Sequence, residues 1–256
     1  MRGEVSLRDL TLEGEVDKVA IAIERLRAFE PKDGYYLAFS GGKDSIVILA
    51  LAKEAGVKFD AHFSQCGGVD PPELIRFIRT FPEVSIDMPP KSMWQLIRKH
   101  KMLPTRLRRY CCRELKERGG DGRLVVTGVR WEESNQRKTR RMTERCMKDG
   151  SKTYLHPIID WSEQEVWQYI RERELPYCSL YDEGRKRVGC VLCPFGRPGN
   201  IGDAERWPAI AKQYRRLANE VWKPGNFASG DEYFDWWASD RSLPFGAGQL
   251  DLGVYE

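Results

Sequence analysis

Residues 35–56 read YYLAFSGGKDSIVILALAKEAG: an aromatic apolar run, six small or charged residues, then a second apolar run. Tyr35 to Phe39 is short and aromatic-rich, the pattern of a buried strand. Ile46 to Ala55 is longer and rich in Leu and Ala, which favours a helix largely covered by its surroundings. Ser40-Gly41-Gly42-Lys43-Asp44-Ser45 therefore stands at a strand-to-helix junction. There the first backbone N–H groups of the helix have no internal partners and the helix dipole favours negative charge. Two glycines let an oxyanion approach without meeting a Cβ. A glycine-rich turn with a capping serine would use the same residues without a ligand, but the flanking strand and helix are what a phosphate loop requires. It is not a Walker A loop, because Asp44 follows Lys43 and the earlier glycine is missing, and no G-x-G-x-x-G is present.

The 256 residues suit one large domain, or a domain with an appendage. No apolar run approaches the ~20 residues that cross a bilayer, and the charged start, MRGEVSLRDLTLEGEVDK, has no apolar signal core. A cytoplasmic protein without a membrane partner is expected. The net charge of +4 is unevenly spread: Arg106 to Arg145 holds 13 Lys or Arg against 6 Asp or Glu, hence +7, leaving −3 elsewhere. Such a stretch suits a polyanion, either nucleotide phosphates or a nucleic-acid acceptor. Seven cysteines in a cytoplasmic chain point to metal or redox use rather than disulfides. Cys111 and Cys112 are adjacent, Cys190 and Cys193 form a C-x-x-C, and Cys66, Cys146 and Cys178 stand alone.

Along the chain, an N-terminal helical segment (1–30, with a helix over about 16–29) precedes alternating strands and helices. KFDAHFS, VSIDM, RLVVTGV and TYLHPII read as strands; PELIRFIRTF, SMWQLIRKHK and DWSEQEVWQYIRERE read as helices, the last with a Ser162/Glu165 capping box. This alternation predicts an α/β fold with a doubly wound, mostly parallel sheet over 31–195. Ligands of such sheets bind at the carboxyl ends of the strands, where the Ser40–Ser45 loop, SQCGG from Ser64 and TGVRWEES from Thr127 all fall. From 196 to 256 a small helical appendage is expected, with one amphipathic helix over DAERWPAIAKQYRRLANEVWK and tryptophans that serve as core.

These motifs, taken in order from Tyr35 to Phe195, resemble the phosphoadenosine phosphosulfate reductase family of PP-loop enzymes, in the adenine nucleotide alpha hydrolase superfamily. SGGKDS is followed by CCRELK, TGVRWEESNQR, HPIIDWSEQEVWQYI and LPYCSLYDEGRKRVGCVLCPF, each similar to a family segment. The resemblance implies ATP or a phosphosulfate nucleotide held by Ser40, Gly41, Gly42, Lys43, Asp44, Ser45, Gly128, Arg130 and Glu133. Asp44, Lys116, Arg130 and Arg137 would act on it, the basic groups through charge-assisted hydrogen bonds to phosphate or sulfate oxygens and Asp44 by placing Mg²⁺. Cys111, Cys112, Cys190 and Cys193 resemble the [4Fe–4S] pattern of adenylylsulfate reductases and DNA phosphorothioation sulfurtransferases, with zinc as the alternative.

The family's reductases attack the bound sulfate with a cysteine in a C-terminal tail. Here no cysteine follows Cys193. The resemblance then implies an ATP-dependent, adenylylating sulfurtransferase served by a sulfur donor. A phosphosulfate reductase using a thioredoxin-like protein and a catalytically silent nucleotide-binding module are the alternatives. Outside the metal set, Cys66 is the cysteine that topology places near the nucleotide.

Overall fold

The computed structural model describes residues 7–11, 14–146, 150–196 and 200–239. In chain order its elements are β1 (Arg8–Thr11), β2 (Gly14–Asp17), α1 (Lys18–Ala28), β3 (Tyr35–Ala38), α2 (Lys43–Ala55), β4 (Phe59–Ser64), α3 (Pro72–Ile78), β5 (Val84–Asp87), α4 (Met93–His100), β6 (Leu124–Val126), β7 (Thr143–Arg145), β8 (Thr153–Leu155), α5 (Glu163–Glu172), α6 (Asn200–Arg206), α7 (Pro208–Val221) and α8 (Gly230–Ala238). One sheet has the order β5-β4-β3-β6-β8-β7 and is parallel except for its edge strand β7. The fold is the expected α/β class with a mostly parallel sheet.

Central strand β3 explains its own sequence. Tyr35 and Leu37 are fully buried, as the continuous apolar run of a strand covered on both faces requires. From β3 the chain winds to β4 and β5 on one side, while β6 and β8 lie on the other. The order reverses between β3 and β6, whose ends are level at Leu37 and Val126. That reversal opens a crevice at the carboxyl ends of these two strands.

Two elements differ from the sequence reading. The first helix begins at Lys18, because Gly14–Asp17 pairs with β1 and the Asp17 carboxylate caps the helix, accepting from the Val19 N–H at 2.9 Å. The single helix expected over 203–223 is two, α6 and α7, parted at Trp207. Pro208 has no N–H to give and is suited to a first helical position.

The described residues fall into two compact units, each assembled from three stretches of chain. The first takes the chain through Ser64, then Pro72–Asp87 and Arg118–Val188; the second takes Gln65–Pro71, Met88–Glu117 and the chain from Gly189. The first unit is the sheet with α1, α2, α3 and α5. In the second, α7 packs on α4, α6 and α8, and Tyr214 meets Trp94 and Trp237 at ring distances of 5.0 and 4.8 Å. Trp207 and Trp237 are buried, as helical spacing predicts. No helix among the described residues is long and apolar enough to cross a membrane.

Trp237 has its indole N–H on the Pro104 carbonyl at 2.6 Å. Trp237→Ala should cost about 3–5 kcal/mol of unfolding free energy, read by urea denaturation. A loss under about 1 kcal/mol would show that the second unit does not depend on this anchor.

Candidate functional site

At the switch point the first unit has a cavity of about 440 Å³, walled by the segments 38–45, 127–137 and 181–188 and by Glu163. Its size suits a small molecule. Of the three loops expected here, those after β3 and β6 are present. The loop from Ser64 is not on the wall, and Gln65–Pro71 belongs to the second unit.

The phosphate-loop residues divide by role. Gly41 does not face the cavity. It has φ +70° and a Cβ there would lie 2.6 Å from Leu74, so the turn itself demands glycine. Gly42 is the N-cap of α2 and brings no capping side chain. A Cβ on Gly42 would reach only the Ser40 Oγ at 3.4 Å and the Tyr181 hydroxyl at 3.5 Å. The helix-start amides are met by side-chain hydroxyls: Ser40 N–H donates to Ser45 Oγ (3.2 Å), Gly42 N–H to Ser40 Oγ (3.4 Å) and Lys43 N–H to Tyr181 Oη (3.0 Å).

Arg130 is buried and committed. Its Nε donates to Asp44 Oδ1 at 2.6 Å, and its Nη1 to Glu132 at 3.0 Å and the Trp161 carbonyl at 3.2 Å. Burial works against its charge, but Asp44, Glu133 and Glu132 outweigh it and raise the guanidinium pKa. Glu133 accepts from the Arg130 N–H at 2.9 Å and pairs with Arg137. Gly128 lies against the first turn of α2, where a Cβ would stand 2.8 Å from that of Asp44. Arg130 and Arg137, expected on the ligand, are thus both held by carboxylates.

Other cations line the cavity. Lys43 is 4% exposed, with its Nζ 3.2 Å from the Lys186 carbonyl and 3.4 Å from Glu163. Lys186 and Arg187 are exposed and on the wall. The sequence reading assigned no role to Tyr181, Lys186, Arg187 or Glu163. For Tyr181, Lys186 and Arg187 the signal lies in LYDEGRKRVGC, whose basic run follows the tyrosine that meets the loop. Thr127 also lines the cavity, with its hydroxyl 2.7 Å from His156 Nδ1. His156 is 1% exposed, and its other nitrogen is 3.4 Å from Glu144. Burial lowers the His156 pKa and Glu144 offsets part of that shift. The basic stretch of 106–145 does not act as one group: Arg123, Arg130, Arg137 and Arg140 are each in ion pairs.

Cys111, Cys112, Cys190 and Cys193 all belong to the second unit. Cys112 opens a π-helical turn through Lys116, closed by Glu117 N–H on the Cys112 carbonyl at 2.9 Å. The C-x-x-C turn carries Leu192 at φ 56°, with its N–H on the buried Asp203 at 2.8 Å. The Cys111 thiol hydrogen-bonds to Cys112, and that bond with nearby Lys116 and Arg109 brings Cys112 down to about 6. The four thiols are half-buried and Lys116 is exposed, although protein atoms surround the ammonium.

Two expectations are corrected here. Lys116 is not on the nucleotide cavity, because the π-helical turn carries it among Cys190, Cys66, Cys193 and Asp70. Cys66 is not on the cavity wall; its thiol hydrogen-bonds to Cys190 within the second unit. Cys146 and Cys178 are also absent from the wall. The cysteine-free end of the chain, 244–256, lies outside the described residues.

Gly42→Val should fold, since its backbone is in the extended region at φ −82° and ψ 158°, yet fill the space beside the helix start. At least a tenfold loss of ATP and adenylylsulfate binding by calorimetry is expected, about 1.4 kcal/mol or more; unchanged affinities would place the nucleotide elsewhere. His156 binds fewer protons folded than unfolded. Stability is therefore lost as pH falls below the unfolded value of about 6.5 toward the folded one. His156→Gln should flatten the fall of the urea midpoint between about pH 7 and 5, and an unaltered slope would assign that fall to other groups.

Residues 34–195 match the phosphoadenosine phosphosulfate reductase domain. The chain is 28% identical over 222 residues to the adenosine 5'-phosphosulfate reductase of Bacillus anthracis, covering 79% of this chain and 94% of that one. It is 27% identical over 209 residues to an uncharacterised protein of Methanocaldococcus jannaschii, covering 76% of this chain but 43% of the relative, so it spans under half of that relative's length. Among solved structures, the phosphoadenylyl-sulfate reductase of Candida auris has a TM-score of 0.51 at 20% identity, over 73% of this chain and 98% of that one, a likeness of fold. With that domain spanning well over half of its length, the chain belongs to the phosphoadenosine phosphosulfate reductase family.

Proposed function

We propose that the protein is an ATP-dependent sulfurtransferase. The observation that carries this reading is the switch-point cavity: it has an uncapped helix start with hydroxyl-bound amides, and no cysteine on its wall among the described residues. Hydroxyl acceptors can rotate away, so phosphate oxygens can take over the amides of Ser40, Gly42 and Lys43 without unwinding α2. Charged acceptors make the stronger bonds. Lys186 and Arg187 would offset phosphate charge, while Arg130 and Asp44 hold the two loops in register. An acceptor oxygen attacks the α-phosphorus, forming an acceptor–O–AMP bond as pyrophosphate leaves with the broken bond's electron pair. Sulfur at the hydrosulfide level then attacks the acceptor carbon, and the C–S bond forms as the C–O bond breaks and AMP leaves with its electron pair.

Cys111, Cys112, Cys190 and Cys193 would hold a [4Fe–4S] cluster. Their arrangement fits one: all four share a neighbourhood, since Cys112, Cys190 and Cys193 each act on Cys111. The four do not crowd to the spacing of a single ion. Among the described residues the group with ligand atoms mutually within 4.8 Å is a different one, Cys66, Asp70 and Cys190. The cluster would supply soft iron at which sulfur can be bound.

The similarity to adenosine 5'-phosphosulfate reductase over 94% of that relative favours a second reading, reduction of a phosphosulfate with a thioredoxin-like donor. Protein purified without oxygen should contain about four iron and four sulfide per chain and prefer ATP to adenylylsulfate. It should release pyrophosphate only with an acceptor present, and little sulfite from adenylylsulfate with thioredoxin. Brisk sulfite release would establish the reductase instead, and one zinc without sulfide would remove the cluster.

A further inference from the structure

Cys66 is one of the most enclosed thiols in the chain, at 1% exposed, and Asp70 is 9% exposed. The Cys66 N–H donates to Asp70 Oδ2 at 2.6 Å, which folds the QCGGVD loop back on itself. Val191 N–H on the Val69 carbonyl at 2.8 Å then ties that loop to the C-x-x-C turn. The result brings one ligand atom each from Cys66, Asp70 and Cys190 to within 4.8 Å of one another. Two thiols and a carboxylate do not gather in a buried place without cost, because an uncompensated carboxylate away from water is expensive.

We propose that Cys66, Asp70 and Cys190 form a binding site for one soft divalent cation of the zinc class. It shares Cys190 with the proposed cluster and otherwise stands apart from that reading. Zinc–sulfur bonds of about 2.3 Å in a tetrahedron put ligand sulfurs about 3.8 Å apart, a contraction of at most about an ångström from a spread within 4.8 Å. A cubane is different, because its four cysteines bind four separate irons and must stand further apart. Charge also balances. Three anionic ligands around a dication leave one negative charge, and the Lys116 ammonium stands among these same groups. Three protein ligands leave the fourth tetrahedral position open to water or another small ligand. Binding displaces the thiol protons to solvent and needs no oxidant or reductant. Because Cys190 cannot serve both sites in full, zinc bound here opposes cluster assembly.

The full chain, stripped of metal under reducing conditions, should bind one equivalent of Co²⁺, with thiolate-to-cobalt charge-transfer absorption and the visible bands of a tetrahedral ion, and zinc should displace it. Cys66→Ser and the near-isosteric Asp70→Asn should each weaken Co²⁺ binding at least tenfold. The Cys111→Ser/Cys112→Ser double variant should bind it as the parent does. Zinc-loaded parent should take up less iron and sulfide in reconstitution than zinc-loaded Cys66→Ser. Circular dichroism of each variant separates lost metal from lost fold. Parent-like cobalt spectra and affinity in both Cys66→Ser and Asp70→Asn would overturn the proposal, as would a parent that binds no cobalt and yields a Cys66–Cys190 disulfide by mass spectrometry. A parent without iron or sulfide that still shows the cobalt site would end the cluster reading and leave this one standing.

Discussion

The ion pair between Arg130 and Asp44 is the constraint on which the nucleotide cavity depends. The two residues are 86 positions apart and meet at 2.6 Å, with the arginine 3% exposed. Asp44 sits in the first turn of α2, and Arg130 follows β6 on the other side of the strand reversal. Removing Asp44 would take one of three carboxylates from a guanidinium held out of water. Gly128 makes the approach close enough for this bond, since a side chain there would push against the backbone of Asp44. The remaining wall groups Tyr181, Lys186 and Arg187 come from a third segment, and Tyr181 meets the loop by accepting from the Lys43 N–H.

The second unit is organised differently. Its cysteines come from a π-helical turn, a glycine-bearing loop and a C-x-x-C turn held by Asp203, and aromatic packing of Trp94, Tyr214 and Trp237 supports them. Leu192 accepts a left-handed backbone at full burial, which a non-glycine residue adopts only where its surroundings insist. In this unit backbone irregularity, rather than sheet topology, sets the spacing of sulfurs.

Local rules made much of this readable. The strand-loop-helix at Tyr35–Ala55 and the capping box of α5 were apparent because capping, apolar runs and glycine placement act over a few residues. The break at Pro208 was equally local and was passed over in favour of periodicity. Pairing of Gly14–Asp17 with β1 was not readable, since neither strand has an alternating apolar pattern. Arg130 and Arg137 both line the cavity, but a sequence displays their charge and not the carboxylates that meet it after folding. Lys116 and Cys66 were misplaced for a related reason. The expectation followed the sheet, whereas the chain leaves the sheet at Gln65 and again at Met88 to build a second unit.

Charge on the cavity wall bears on what it can hold. Lys43, Arg130, Arg137, Lys186 and Arg187 stand against Asp44, Glu132, Glu133 and Glu163, a surplus of one positive charge. A triphosphate brings several negative charges into a space where each is less screened than in water. Protein cations on that wall cannot neutralise it while Arg130 and Arg137 stay with their carboxylates. Breaking those pairs would release Asp44 and Glu133 into the same space and gain little. The balance is better met by a divalent cation that travels with the phosphates and keeps most of its own water, as Mg²⁺ does. Under the proposed function Asp44 would then be less a ligand for that ion than the anchor of Arg130, contributing through the shape of its loop.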